Sequence, residues 1–291
     1  MAPSFLDSSD LFEWCRISAD ELEEHPGRKI PIKILNTPDD VHRWVAQDMV
    51  YEIKRNNAGG KPTRWILPCG PTGQYPFFIK TVNEERISLI NLHVFHMDNC
   101  LDWQGRPLPV EHPFNFESWM NQNFYQLIDP ELTVPEGQRH FPDIHRIDKI
   151  SEEIVKMGGI DTTYGGIGYR GHVAFNEPPR SPWFSVSPEE FKNSKTRILT
   201  LNDDTIISLS QRMAGGCSHA VPPMGITMGM MDLLSARRIR LLSVTGAWKQ
   251  TVIRVLLFGP TTIEYPVTFI QAHPDALVVV DKLTAAPPLG P

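Results

Sequence analysis

A chain of 291 residues, 41% of them hydrophobic and 21% charged, is long enough for one large domain and too apolar to be disordered throughout. The formal net charge of −6 argues against a dedicated nucleic-acid-binding protein, because such proteins usually carry a basic excess. No continuous apolar run is long enough to span a membrane, and the acidic N-terminus does not resemble a signal peptide. The 4 cysteines form no CxxC pair, so we expect reduced thiols in a cytoplasmic protein.

The start of the chain differs in pattern from the rest. Residues 1–30 show little hydrophobic periodicity and are expected to form an N-terminal extension packed on the surface. A single α/β domain is predicted for residues 31–291, because no change in composition marks a linker. Its first predicted element is a helix over residues 38–55, since Asp39 and Asp40 suit a first turn, where the helix dipole favours anions.

The rest of the chain alternates between predicted strands and helices. A strand at residues 65–67, a helix that ends near residue 85 and a strand at 87–95 lie within about 30 residues, which is typical of a βαβ unit. This alternation predicts a doubly wound α/β domain with a mainly parallel sheet flanked by helices. Further helices are predicted at 114–127, 147–157, 203–213 and 249–258, and further strands at 161–164, 197–201, 239–244 and 276–281.

Four loops after predicted strands are candidate ligand-binding segments, because ligands in open α/β sheets bind beyond the carboxyl ends of the strands. The first loop, residues 67–73, contains glycines and Thr72, and its N–H groups could hold a phosphate. A simple βα turn is the alternative. The fourth loop, residues 245–249, ends in Lys249, which could reach a phosphate or lie in solvent.

The second and third loops carry titratable side chains. The second places Asp98 at the end of a strand, where a carboxylate can serve as a general base. A metal site is disfavoured there, because His93 and His96 fall on opposite faces of a regular strand. The third loop is rich in glycine and is followed by His172 and Glu177. A flexible loop or a dinucleotide-binding turn is the alternative, but the glycine spacing is not GxGxxG and prolines follow too soon for a long helix.

The third loop, with the sequence GGIGYRGHVAFNEP, closely resembles the GGxGxDGHxAFNEP signature of the glucosamine-6-phosphate deaminase family. The resemblance continues in chain order over about residues 38–282, through the segments FHMDN, EHP, VPPMGITMG and IQAHP. It implies a modified doubly wound, Rossmann-like fold and an aldose–ketose isomerisation coupled to loss of ammonia from an amino sugar phosphate. It also implies a homo-oligomer that binds a small sugar or sugar phosphate. We expect no cofactor and no metal, and the net charge and the lack of a long apolar run argue against nucleic-acid and membrane partners.

The resemblance implies a function for each matching residue. Asp98 is expected to move a proton between C2 and C1, and His172 is expected to open the sugar ring at O5. Glu177 is expected to orient His172 and to raise the pKa of its imidazole. Arg170 completes the expected catalytic set. The residues expected to bind the substrate and its phosphate are Cys69, Gly70, Pro71, Thr72, Gly166, Gly168, Gln211, Arg212 and Lys249.

Some positions depart from the family motifs. Arg170 stands where the family has an aspartate, and a cation lowers the pKa of a nearby imidazole if the side chains approach. Gln211 stands where the family has a phosphate-binding arginine, and Leu199 where it has a lysine associated with allosteric control. Pro71 removes one N–H donor from the phosphate loop. We expect an altered substrate preference; a phosphogluconolactonase-like hydrolase and a non-catalytic sugar-phosphate sensor are the alternatives.

Overall fold

The computed structural model describes residues 6–180, 183 and 185–288 and contains two β-sheets with helices packed around them. The helices are α1 (Ser8–Arg16), α2 (Ala19–Leu22), α3 (Pro38–Ala58), α4 (Gln74–Glu84), α5 (Phe116–Asn123), α6 (Lys149–Lys156), α7 (Pro188–Lys192), α8 (Asp203–Met213), α9 (Met230–Leu234), α10 (Gln250–Phe258) and α11 (Lys282–Ala285). The strands are β1 (Ile32–Leu35), β2 (Thr63–Leu67), β3 (Leu92–His96), β4 (Asp98–Leu101), β5 (Arg139–His140), β6 (Thr162–Gly166), β7 (Arg197–Thr200), β8 (Met224–Thr227), β9 (Arg238–Ser243) and β10 (Ala276–Asp281).

The larger sheet is parallel throughout, with 7 strands in the order β1-β10-β9-β6-β2-β3-β5. From β2 the chain proceeds outward through β3 to β5. It then returns to β6, on the other side of β2, and continues through β9 to β10. The doubly wound, mainly parallel sheet predicted from the sequence is confirmed, and the reversal between β2 and β6 creates the switch point at which such sheets bind ligands.

Several predicted elements have the expected bounds. α8 and β10 match the predicted ranges. α3 begins at Pro38 because Thr37 and Asp40 form a capping box: each side chain accepts a hydrogen bond from the other residue's backbone N–H. The helix ends at Ala58, about one turn later than predicted, and is followed by Gly59.

Other predicted bounds are wrong. The strand predicted at residues 87–95 begins only at Leu92, and residues 87–91 form a loop. Ile87 and Leu89 are buried, so their hydrophobicity reflects packing beneath that loop and not strand pairing. The helix predicted at 114–127 is shortened to α5, and a 3₁₀ turn at Tyr125–Leu127 follows it. β1, at the edge of the sheet, lies where the sequence indicated no strand.

A second sheet of 3 antiparallel strands, in the order β4-β8-β7, was not predicted. The strand predicted at residues 197–201 exists as β7, but it pairs in this sheet and not in the parallel one. β3 ends at His96 and β4 begins at Asp98, so the chain leaves one sheet and enters the other with only Met97 between them. Asp98 therefore lies at the junction of the two sheets.

Hydrophobic clusters cover both faces of the parallel sheet. Ile66 belongs to one cluster, and Trp65 and Leu67 belong to the other, because alternate side chains of a strand point to opposite faces. Leu22 and Ile30, from the N-terminal segment, are buried in the first cluster. Among the helices of the described ranges, none is long and apolar enough to cross a membrane.

Candidate active site

A cavity of about 350 Å³ opens beyond the carboxyl ends of β2 and β6, at the switch point of the parallel sheet. Its wall is formed by the loops after β2, β6 and β9, by the start of β4 and by one face of α8. Most of the site residues predicted from the sequence line it: Cys69, Gly70, Pro71, Thr72, Asp98, Gly166, Gly168, His172, Arg212 and Lys249.

The loop after β2 packs closely on the end of β6. A Cβ atom on Gly166 would lie 2.3 Å from Pro71 Cδ, so only glycine allows this approach. The Arg212 guanidinium reaches over the same loop, since a Cβ on Gly70 would lie 3.8 Å from its Nη2. Thr72 completes this wall of the cavity. The loop and the arginine together form one end of the cavity.

Asp98 is the buried acid of the cavity. It is 9% exposed and pairs with Thr227 in the antiparallel sheet. Burial raises the pKa of Asp98 from 3.8 to about 7, because removing water penalises the charged carboxylate. A carboxylate with a pKa near neutrality can both accept and return a proton at pH 7.

His172 is held by close backbone packing. A Cβ atom on Gly168 would lie 1.8 Å from His172 Nε2, so the absence of a side chain at Gly168 makes room for the ring. The Gly168 N–H donates a 2.7 Å hydrogen bond to the His172 carbonyl. Ala174, which also lines the cavity, has a φ of 53°, a left-handed conformation that is unfavourable for alanine and is found at functional sites.

Glu177 lies behind His172, with its Oε1 4.0 Å from Nδ1 of the imidazole. Its Oε2 accepts a 2.7 Å hydrogen bond from the Asn202 backbone N–H, and burial raises the pKa of Glu177 to about 7. The expected rise in the pKa of His172 is wrong. Burial, followed by the charges of Lys249 and Arg212, lowers that pKa to about 3, so the free imidazole is neutral at pH 7.

Two cations face the cavity. Lys249 is 3% exposed, and its Nζ lies 5.8 Å from the centroid of the Tyr169 ring. Arg212 lies on the exposed rim. Neither forms an ion pair with a carboxylate of the described residues. Burial, and then the charge of Arg212, lowers the pKa of Lys249 to about 8. A bound anion would offset this repulsion, so the arrangement favours an anionic ligand.

Three predicted site residues do not line the cavity: Glu177, which lies behind His172, Arg170 and Gln211. Arg170 instead forms an ion pair with Asp204, with its Nε 2.9 Å from Oδ2. Arg170 is not among the causes of the lowered pKa of His172, so the expected electrostatic effect of this substitution is not found. Gln211 is exposed on α8, whereas the next residue along the helix lines the cavity.

The sequence interpretation placed Arg212 in the site but missed the other residues of α8 and the apolar wall. Thr205, Ser208 and Leu209 line the cavity beside Arg212. The intervals of three residues from Thr205 to Ser208 and of four from Ser208 to Arg212 are a helical-face signal that was visible in the sequence. Within the described ranges, no group of three or more His, Cys, Asp or Glu side chains is arranged to hold a metal ion. The apolar side chains in the cavity wall include Met97, Phe116, Trp119, Phe175 and Met213.

Curated relatives of this chain are named glucosamine-6-phosphate deaminase. One from Aliivibrio fischeri (strain MJ11) is 31% identical over 256 residues, which cover 85% of this chain and 89% of the relative. One from Mannheimia succiniciproducens is 32% identical over 261 residues, which cover 88% of this chain and 90% of the relative. No protein-family model matches the chain.

Solved structures have a similar fold. A monomeric glucosamine-6-phosphate deaminase gives a TM-score of 0.74 at 25% sequence identity, over 87% of this chain and 98% of that chain. A 6-phosphogluconolactonase from Thermotoga maritima gives a TM-score of 0.61 at 16% identity, over 86% of this chain and 98% of that chain. At that lower identity, the similarity concerns the fold alone.

Proposed function

The chain belongs to the glucosamine-6-phosphate deaminase family, and we propose that it converts an amino sugar phosphate to a ketose phosphate with release of ammonia. One observation carries this proposal: a single cavity contains a buried carboxylate, Asp98, and two cations, Arg212 and Lys249, that have no acidic partner among the described residues. The carboxylate can move a proton between carbon atoms, and the cations can hold a phosphate.

Phosphate binding positions the substrate. We assign the phosphate to the end of the cavity formed by Thr72, Arg212, Lys249 and the backbone of the loop after β2. A phosphate there offsets the repulsion between the two cations. Binding of the phosphate then holds the sugar carbons beside Asp98. The contacts to a group remote from the reaction thereby orient the reacting atoms correctly.

Ring opening is assigned to His172. As the C1–O5 bond breaks, a proton leaves the C1 hydroxyl and a proton reaches O5. The neutral imidazole can accept the first proton and donate the second, and Glu177 behind it stabilises the transient positive charge. The open-chain aldehyde that results is the form on which a base can act at C2.

Isomerisation is assigned to Asp98. The ionised carboxylate takes the proton from C2 and returns it to C1, while an amine proton is formally transferred to O1. C1 becomes a hydroxymethyl group and C2 becomes an imine. Water adds to the imine carbon and ammonia leaves, which produces the ketose phosphate. With a pKa of about 7, Asp98 is ionised in a substantial fraction of molecules at neutral pH.

We also propose a substrate preference that differs from that of the relatives. In support, Gln211, at the position of the family's phosphate-binding arginine, is exposed outside the cavity. Arg170, at the position of a family aspartate, does not line the cavity and forms an ion pair with Asp204. The polar groups that surround the substrate therefore differ from those that the family motifs imply, and contacts of this kind determine discrimination between sugars.

A phosphogluconolactonase-like hydrolase is the second candidate. The observation that favours it is the neutral His172 imidazole in a cavity with two cations, because a neutral imidazole can take a proton from an attacking water. In that reaction, Asp98 would have no proton to move between carbons. The two functions therefore make opposite demands on this carboxylate.

The test is an assay panel with the full chain and an Asp98→Asn variant. Ammonia and ketose are measured with glucosamine 6-phosphate, other amino sugar phosphates and their unphosphorylated forms; lactone hydrolysis is measured with 6-phosphogluconolactone. The proposal expects ammonia and ketose from a phosphorylated amino sugar, and loss of both in the variant. Lactone hydrolysis that survives the substitution would establish the hydrolase instead. Tight binding of the panel without any product would indicate a sensor.

A further inference from the structure

We propose that Arg170 is a positioning residue that holds α8 against the loop containing His172 and thereby sets the affinity of the cavity for phosphate. The inference rests on the proposed function in one respect only, that the cavity binds a phosphate group. It concerns a residue that does not line the cavity and whose pairing could not be read from the sequence.

α8 forms one wall of the cavity without being enclosed by the protein. Thr205, Ser208 and Arg212 line the cavity from one face of this helix. On the other face, Ile207 is 52% exposed, and at the C-terminal end Met213, which borders the cavity, is 44% exposed. Because solvent borders the outer face, the contacts at the ends of α8 contribute strongly to its position.

The N-terminal end of α8 is tied to the catalytic segment by polar contacts. Asp204, in the first turn, forms an ion pair with Arg170, whose Nε lies 2.9 Å from its Oδ2, and accepts a 3.4 Å hydrogen bond from Arg180 Nη2. Just before the helix, the Asn202 N–H donates to Glu177 Oε2 at 2.7 Å. These contacts come from residues before and after His172 in the chain, so they link α8 to both sides of the segment that carries the imidazole.

The backbone around Arg170 explains its direction. The Gly171 N–H donates to the Gly168 carbonyl at 3.0 Å, and Gly171 has a φ of 75°, so the chain makes a tight turn between these glycines. Arg170, within this turn, pairs with Asp204 on α8, while His172 faces the cavity. One turn therefore supplies both the imidazole and the contact that holds the neighbouring wall.

The cavity needs such a contact because its cations repel each other. Arg212 lowers the pKa of Lys249, and both lower the pKa of His172. Without an anion, this repulsion favours movement of Arg212, and of the helix that carries it, away from Lys249. The Arg170–Asp204 ion pair opposes that movement, so phosphate meets a site in which the cations are already placed.

An Asp204→Asn variant separates positioning from simple electrostatics. This substitution removes a negative charge near an anion site. If only long-range charge mattered, phosphate would bind more tightly to the variant. If the ion pair positions α8, phosphate binds more weakly despite the gain in positive charge. The two explanations therefore predict changes of opposite sign.

The experiment is isothermal titration calorimetry of the full chain with inorganic phosphate. We expect Arg170→Ala and Asp204→Asn each to weaken phosphate binding by about two- to fivefold, the range typical of a half-exposed ion pair. Arg170→Lys should retain most of the affinity, because it preserves the charge. Glu264→Gln is the matched control: Glu264 lies 3.9 Å from Arg170 Nη1 but not on α8, so affinity should not change. Thermal unfolding of every variant confirms that the fold is intact.

The outcomes distinguish this inference from the proposed function. If the unmodified chain does not bind phosphate, or if it binds phosphate with an affinity that Lys249→Ala leaves unchanged, the proposed phosphate site fails. If the unmodified chain binds phosphate but Arg170→Ala leaves the affinity unchanged, or Asp204→Asn tightens binding, the positioning of α8 by Arg170 is overturned while the site remains.

Discussion

Glu177 Oε1 lies 4.0 Å from His172 Nδ1 and has no hydrogen-bond partner among the described residues. The two groups are close enough to interact but too far apart for a hydrogen bond. Near pH 7 the imidazole is neutral, because burial lowers its pKa. The carboxyl is only partly ionised, because burial raises its pKa. A phosphate that offsets the nearby cations would favour protonation of His172 and shorten this contact.

Ring opening should depend on this pair. We expect His172→Gln to lower kcat/KM by about 100-fold or more on a closed-ring amino sugar phosphate, because acid–base catalysis at O5 is lost. An open-chain analogue bypasses that step, so its turnover should fall much less. Steady-state kinetics with both substrates provide the measurement. An equal loss on both would remove His172 from ring opening.

Gly168 should tolerate no side chain. In Gly168→Ala, the new Cβ would lie 1.8 Å from His172 Nε2, so the imidazole must move out of position. We expect an activity loss on the order of 100-fold, as for misplaced catalytic groups. Gly137→Ala is the matched control, because a Cβ there has no neighbour within 4 Å. Wild-type activity in the Gly168 variant would contradict the assigned position of the ring.

The buried Asp98 carboxyl should lower the free energy of unfolding, although it is needed for isomerisation. The folded state raises its pKa from 3.8 to about 7, so folded molecules hold a proton that unfolded ones release between these values. Stability is therefore lost as the pH rises through this window. Asp98→Asn should abolish isomerisation and raise the free energy of unfolding at pH 8 by up to about 4 kcal/mol. Urea denaturation at pH 4 and pH 8 should show that the gain grows with pH; a constant difference would argue against the raised pKa.

The pH dependence of kcat/KM should be bell-shaped. The ascending limb near pH 7 reports ionisation of Asp98, because the base must be unprotonated. The descending limb near pH 8 reports loss of the Lys249 proton, because a neutral amine no longer attracts phosphate. Lys249→Arg should remove the descending limb, since arginine stays charged. A limb that persists near pH 8 in this variant would exclude Lys249 as its cause.

Substitutions of two adjacent residues of α8 should differ sharply in their effect on KM. Arg212→Ala should raise KM for a phosphorylated substrate about tenfold or more, the loss expected for a charge-assisted contact to phosphate. Gln211→Ala should change KM little, because Gln211 is exposed outside the cavity wall. The same kinetic assay measures both. The reverse result would favour the alignment to the family motif over the arrangement in the structure.

Much of the architecture was predictable because its signals are local. Apolar periodicity and capping residues determined α3, α8 and β10 closely, since helix and strand preferences act over a few residues. The alternation of strands and helices predicted a parallel sheet, and the position of glycine-containing loops after strands predicted its ligand-binding edge.

The sequence by itself determined the fold class and the family, and 10 of the 13 site residues that it predicted line the cavity. Only the tertiary structure decided that Asp98 begins a strand of a second sheet, that its carboxyl is buried, and that Arg170 pairs with Asp204. The physical reason is the sequence separation over which each interaction acts. Strand pairing, desolvation and ion pairs depend on residues far apart in the chain, and a local pattern does not specify which of these distant groups approach one another.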